Sequence, residues 1–175
     1  MRHPSPALVA FALVVCSGGL CTAAPDAGAK ASGEYNFYGH SVHATMQSAR
    51  AQMTHYGDYL DRVQAAGPAV TVNAELARET SDAIGDSIAR MRRHIATMRA
   101  HATTLNDQQA LGMLDDVERQ LAEAATHHAA LHETHGGQTI DAATAKAHAD
   151  KVNAALEKAQ AEHDEVMARL GDTAN

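Results

Sequence analysis

The chain has 175 residues and a formal net charge of −7, from 21 acidic and 14 basic residues, with no Trp and an aromatic content of 3%. This acidity argues against binding to nucleic acid or to anionic membranes, because both carry negative charge themselves. Abundant Ala and the lack of β-branched runs favour an all-α protein.

The first segment, residues 1–24, has the pattern of an export signal. A positively charged start is followed by an apolar run over residues 7–20 and then by small residues. We predict cleavage near Ala24 and a periplasmic protein, because the run is too short to span a membrane comfortably. Lipidation at Cys21 is the alternative, although Leu20 fits poorly before a lipidated Cys. Cleavage near Ala24 would remove both cysteines and leave His, Met, Asp and Glu as the metal ligands.

The remaining chain is predicted to form one domain. Residues 25–35 are rich in Gly, Ala and Ser and are predicted to be a flexible leader. Residues 36–172 are divided by three turn signals into four helical segments. These signals are Gly67-Pro68, Asn106-Asp107 and Gly136-Gly137. The predicted helices cover about 36–66, 73–103, 107–135 and 141–172.

Each segment carries a stripe of apolar positions spaced alternately by four and three residues. The stripes extend from Val42 to Val63, from Ile84 to Leu105, from Ala110 to His135 and from Ala145 to Leu170. Such a period packs helices at shallow angles, and short connections make neighbouring helices antiparallel. The sequence therefore predicts an antiparallel, up-down four-helix bundle.

A first cluster of His and Met is expected at the end of the bundle that holds both chain termini. His43, Met98 and His163 lie about seven residues from this end of their helices, which at 1.5 Å per residue is roughly 10 Å. Imidazole and thioether groups ligate transition metals, and a set rich in Met suits Cu(I). The predicted ligands are His40, His43, Met46, His94, Met98, His101, His163 and Met167, with Met113 at the same level.

A second cluster is expected at the opposite end. His128 and His132 are four residues apart on the third helix, and His148 of the fourth helix lies at the level of His128. Glu79, near the start of the second helix, adds a carboxylate. This set lacks Met, so it suits zinc, nickel or Cu(II).

Structural roles compete with both predicted sites. A Met on an apolar stripe, such as Met46 or Met98, usually packs in the core. A His near a helix C-terminus, such as His101 or His135, interacts favourably with the helix dipole. His128 and His163 are harder to explain in this way, because both occupy stripe positions and an unpaired buried imidazole costs free energy.

The pattern resembles the periplasmic His/Met-rich helical metal-binding proteins, such as nickel/cobalt sensors of the CnrX type. Such sensors use a His pair on an early helix and a His-x-x-x-Met pair on a late one. The resemblance implies that His40 and His43 form the first pair, here three residues apart rather than four. His163 and Met167 would form the second, and metal sensing or resistance would be the function.

We therefore predict an exported protein that binds a transition-metal ion for buffering, delivery or sensing. Copper is favoured, and nickel, cobalt and zinc remain open. No nucleophile with a partner base is present, so an enzyme is not expected. One alternative is a b-type haem cytochrome using Met46 and His163; another is a metal-free periplasmic chaperone or stress protein. A homodimer is also open, whereas nucleic acid and a membrane span are not expected.

Overall fold

The computed structural model describes residues 27–137 and 139–173, and places side chains for residues 33–137 and 139–169. Over these residues the chain forms four α-helices and no strand, which confirms the predicted all-α class. The helices are α1 (Ala27–Ala65), α2 (Ala74–Thr104), α3 (Gln108–Thr134) and α4 (Ala142–Thr173). The predicted export signal lies outside the described residues.

The helix starts coincide with capping residues in the sequence. The side chains of Asn73, Asp107 and Asp141 each accept a hydrogen bond from the backbone N–H of a first-turn residue of α2, α3 and α4. These bonds satisfy donors that a helix leaves unpaired at its start. Gly67 after α1 and Asn106 after α2 have positive φ values of 83° and 55°, which end the helices where turns were predicted.

Helix α1 begins earlier than predicted. It starts at Ala27 rather than near Asn36, so the part of the predicted leader from residue 27 onward is helical. Tyr35 explains the later part of this extension, since it is 1% exposed and belongs to the hydrophobic core. Tyr35 lies seven residues before Val42. The apolar stripe therefore extends one heptad further back than the sequence prediction placed it.

The four helices enclose one core. Helix α1 packs against α2 and α4, and α3 packs against the same two helices. Contacts between α1 and α2 run in reversed residue order. Glu34 pairs with His101 at one end, and the Tyr59 hydroxyl accepts a hydrogen bond from the Asn73 backbone at the other. Early residues of α1 therefore lie level with late residues of α2.

The predicted stripes supply the core. Their apolar members are buried from Val42 to Val63, from Ile84 to Ala102, from Ala110 to Leu131 and from Ala145 to Val166. Leu105 is an exception at 39% exposure, because it caps α2 at the turn and no longer faces the bundle. The side chain at position 170 lies outside the described set. None of the described helices has an apolar stretch long enough to cross a membrane.

Candidate metal centre

His163 is a buried histidine without a hydrogen-bond partner. It continues the apolar stripe of α4 between Ala159 and Val166, and its side chain is 0% exposed. Neither ring nitrogen has a partner. Burial lowers the pKa of His163 to about 4, and the charge of nearby Asp164 only partly offsets this. The imidazole is therefore neutral at pH 7, which is the form that ligates metal ions.

Two further ligand groups converge on His163. The rings of His163 and His43 of α1 have centroids 6.3 Å apart. The Nδ1 atom of His43 lies 2.9 Å from Oδ1 of Asp164, the residue that follows His163 on α4. One ligand atom from each of the three side chains can be chosen so that all lie within 4.8 Å of one another. Such spacing allows a single ion to contact all three groups after small side-chain adjustments.

His43 is also held from its own helix. The amide Nε2 of Gln47, one turn later on α1, lies 2.7 Å from His43 Nε2. If this amide donates to Nε2, His43 carries its proton on Nδ1 and donates it to Asp164. One tautomer therefore satisfies both contacts and orients the imidazole. An ion that binds His43 must displace one of these two hydrogen-bond partners, since together they occupy both ring nitrogens.

Two methionines lie against Gly39, one helical turn before His43. Met98 of α2 is fully buried and Met167 of α4 is half-buried. Both lie over Gly39 of α1. A Cβ atom at this glycine would collide with the Met167 sulfur and would lie 3.5 Å from the terminal methyl carbon of Met98. Gly39 is one turn before His43, and Met167 is one turn after His163, so the methionine pair lies beside the imidazole pair.

Two other histidines predicted for the first site lie on a different face of α1. The rings of His94 and His101 pack against Tyr38, with centroid distances of 5.3 and 6.2 Å. They occupy the α1–α2 face, whereas the group of His43, His163 and Asp164 lies between α1 and α4. His40 is exposed, but it lies near enough to His163 for its charge to add to the effect of burial in lowering the pKa of His163. Met46 is fully buried in the core.

At the opposite end, the predicted pair His128 and His132 is engaged by a serine. The Oγ atom of Ser81 lies 3.2 Å from His128 Nε2 and 3.3 Å from His132 Nδ1. His128 Nε2 is also 2.7 Å from the Ser81 carbonyl oxygen, to which it donates. The His128 ring lies against Gly85, where a Cβ would come within 2.7 Å of its Cε1 atom. These contacts account for His128 without a metal.

The remaining members of the second predicted site do not join this pair. Glu79 lines a cavity of about 490 Å³ together with His55, Tyr56 and Tyr59. His148 is half-buried, and its Nδ1 atom has no partner. Across the described part of the chain, three-residue groups of His, Cys, Asp or Glu with ligand atoms within 4.8 Å are limited to the set of His43, His163 and Asp164.

His135 was expected to interact with the helix dipole at the end of α3, a role that does not require burial, yet its side chain is almost fully buried. It caps the C-terminus of α3 and is 1% exposed. Its Nε2 atom lies 2.8 Å from the Tyr56 hydroxyl, which explains one nitrogen, while Nδ1 has no partner. Burial lowers the pKa of His135 to about 4. Within the residues described, His135 belongs to no group of three or more His, Cys, Asp or Glu side chains that could hold one ion.

Asp164 and Gly39 are the residues of this centre that sequence reasoning missed. Asp164 is exposed and does not belong to the apolar stripe of α4. The sequence marks it only by its position directly after His163, a candidate ligand. Two imidazoles and a carboxylate form a donor set for Cu(II), zinc, nickel or cobalt, and a thioether adds a softer donor.

No family model, curated protein or solved structure matches the chain. The likeness to CnrX-type sensors therefore stays an expectation from short motifs. The geometry around His163 provides the support for a function.

Proposed function

We propose that this protein binds a transition-metal ion between α1 and α4, with copper favoured and nickel, cobalt or zinc as competitors. His43, His163 and Asp164 supply ligands. The observation that carries the proposal is His163, which is fully buried and has neither ring nitrogen hydrogen-bonded.

A purely structural role explains this histidine poorly. A buried polar group left without a partner costs about 1–3 kcal/mol, whereas an apolar side chain at the same stripe position would cost nothing of this kind. A metal ion would accept the lone pair of the neutral imidazole and remove part of that cost. His43 and Asp164 lie where they could share the ion, within 4.8 Å in ligand-atom distance.

The wider proposal is an exported, antiparallel bundle that buffers, delivers or senses the metal in the periplasm. The reversed order of the α1–α2 contacts supports the antiparallel arrangement. The charged and apolar pattern of residues 1–24 supports export. A net charge of −7 favours the approach of cations over anions.

Equilibrium dialysis of the purified protein against Cu(II) and Zn(II), followed by metal analysis, tests the proposal. We expect one ion per chain at the centre. Replacing His163 with Ala should weaken binding by at least about 10-fold, because a buried ligand is lost. His55→Ala is the matched control, since His55 is an exposed histidine of α1 outside the group.

Equal affinity in His163→Ala and wild-type protein, with both folded by circular dichroism, would overturn the proposed site. A Soret band in the absorbance spectrum of the protein as purified would replace it with haem binding. If the wild-type chain binds neither ion stoichiometrically, the proposed function is wrong, and a metal-free chaperone or stress protein becomes the favoured alternative.

A further inference from the structure

The contact between Gly39 and two methionines lies one helical turn from the proposed ion. Gly39 is buried in the first half of α1. The atoms nearest to a Cβ placed there are the sulfur and terminal carbon of Met167, followed by the terminal carbon of Met98 at 3.5 Å. The Met167 thioether therefore occupies the space that a side chain at position 39 would fill, and the Met98 methyl group borders that space.

Ordinary packing explains part of this arrangement. Methionine fills irregular gaps in cores, and a glycine lets a neighbouring side chain approach the backbone closely. Packing alone does not require a sulfur atom against the glycine. The sulfur belongs to Met167, which comes four residues after His163, the histidine without a hydrogen-bond partner. Residues four apart share one face of a helix. His163 and Met167 can thus present an imidazole and a thioether to the same ion.

We infer that Gly39 positions the Met167 thioether, with Met98 beside it, as a soft extension of the His43–His163 site, and that this selects Cu(I) over Zn(II). The inference rests on the proposed function and adds the identity and oxidation state of the ion. Cu(I) prefers thioether and imidazole donors, whereas Zn(II) is satisfied by imidazole and carboxylate. His43, His163 and Asp164 hold either ion, and the methionines contribute mainly to Cu(I).

The test compares two affinities in the same full-length variants. Cu(I) affinity is measured without oxygen by competition with a chromophoric Cu(I) chelator, and Zn(II) affinity by competition with a chromophoric Zn(II) chelator. Met167→Leu removes the sulfur with little change in volume. Gly39→Ala keeps the sulfur but displaces it. Each should weaken Cu(I) binding by about 10-fold or more and change Zn(II) binding by less than about threefold.

Gly112→Ala is the matched control for the glycine change. Gly112 lies within α3, and an added Cβ there meets nothing within 4 Å. It therefore gains the same helix propensity as Gly39→Ala without touching the site. The control should keep both affinities. If Gly39→Ala does not fold, Met167→Leu decides the matter alone.

The outcomes separate this inference from the proposed function. Unchanged Cu(I) affinity in Met167→Leu, or equal losses for Cu(I) and Zn(II), would overturn the role of the methionines and leave the metal site standing. Wild-type protein that binds neither ion would overturn both. X-ray absorption at the copper edge should show sulfur scattering in wild-type protein, and less of it in Met167→Leu.

Discussion

His163 and His135 are both buried histidines, but the residues around them suit them to different roles. Both are almost fully buried, and burial lowers both pKa values to about 4. His135 has the Tyr56 hydroxyl 2.8 Å from one nitrogen and caps a helix. His163 has no partner for either nitrogen but has another imidazole and a carboxylate within reach. The first arrangement is structural, and the second is suited to an ion.

The pKa shift of His163 predicts that the metal-free protein loses stability in mild acid. Its folded-state pKa is about 4, below the value of 6.5 expected in the unfolded chain. Between these values the unfolded chain binds a proton that the folded protein does not bind. The free energy of unfolding should therefore fall as pH drops from about 6.5 to 4, by up to about 1.4 kcal/mol per pH unit for this group.

Urea unfolding in the presence of EDTA, at several pH values from 7 to 4.5, measures this dependence. The slope should be shallower in His163→Leu, which removes the titrating group and keeps an apolar side chain on the stripe. His55→Gln, at an exposed histidine, should retain the wild-type slope. A slope that stays the same in His163→Leu would mean that His163 does not remain neutral in the folded apoprotein.

For individual residues, the sequence predicted two of the three ligands of the candidate metal centre, His43 and His163. The levels of His43 and His163 followed from counting residues along helices, and the structure brings them together. The same count placed His94 and His101 beside them, but both point to the face of α2 that packs on Tyr38. Depth along a bundle follows from helix length. The direction of a side chain around the helix axis depends on neighbours that periodicity alone does not identify.

At the level of the helices, Asp107 both caps the start of α3 and connects it to α4 through an ion pair. The Asp107 carboxylate accepts a hydrogen bond from the Ala110 backbone and pairs with Arg169 of α4, at 2.9 Å to Nη2. The hydrogen bond from Arg169 is the main reason that the pKa of Asp107 lies below its usual value. The Asn73 cap of α2 has a side-chain bond to its own helix but no cation of this kind among its described contacts.

This difference predicts unequal costs for two cap deletions. Asn73→Ala should lower the free energy of unfolding by about 1 kcal/mol, the usual value for a lost cap. Asp107→Ala should cost more, by up to about 1 kcal/mol beyond that, because a partly exposed ion pair is lost as well. Urea unfolding at pH 7 gives both values. In an Arg169→Gln background the two deletions should become similar, and a persistent difference would assign the excess to the turn itself.

Helix boundaries were predictable where a turn-forming or capping residue occurs in the sequence. Gly67, Asn106 and the capping residues identified three of the turns because each has a local conformational or hydrogen-bonding reason to interrupt a helix. The start of α1 lacked such a mark. Gly33 suggested a leader, but α1 begins at Ala27 and Tyr35 packs in the core. Burial of Tyr35 accounts for the helix around that residue, because tertiary packing stabilises helices that local sequence does not mark.

For the whole molecule, the proposed centre joins the first and last helices. His43 belongs to α1 and His163 to α4, and their sequence separation spans most of the described chain. Unfolding would separate these ligands, so the unfolded chain would bind the ion less tightly. A metal that binds only the folded state stabilises it by mass action.

The resulting prediction is a metal-dependent melting temperature. With free metal at 100 times its Kd, stabilisation should be about 2.7 kcal/mol, which for a chain of this size corresponds to a rise of roughly 5–10 °C. Excess EDTA should reverse the rise. At the same metal concentration, a 10-fold weaker site would give about 1.4 kcal/mol, so calorimetry of His163→Ala should show a rise half as large or smaller. His55→Ala should behave like wild-type protein. A full rise in His163→Ala would place the ion away from His163, with the His128–His132 pair beside Ser81 as the next candidate.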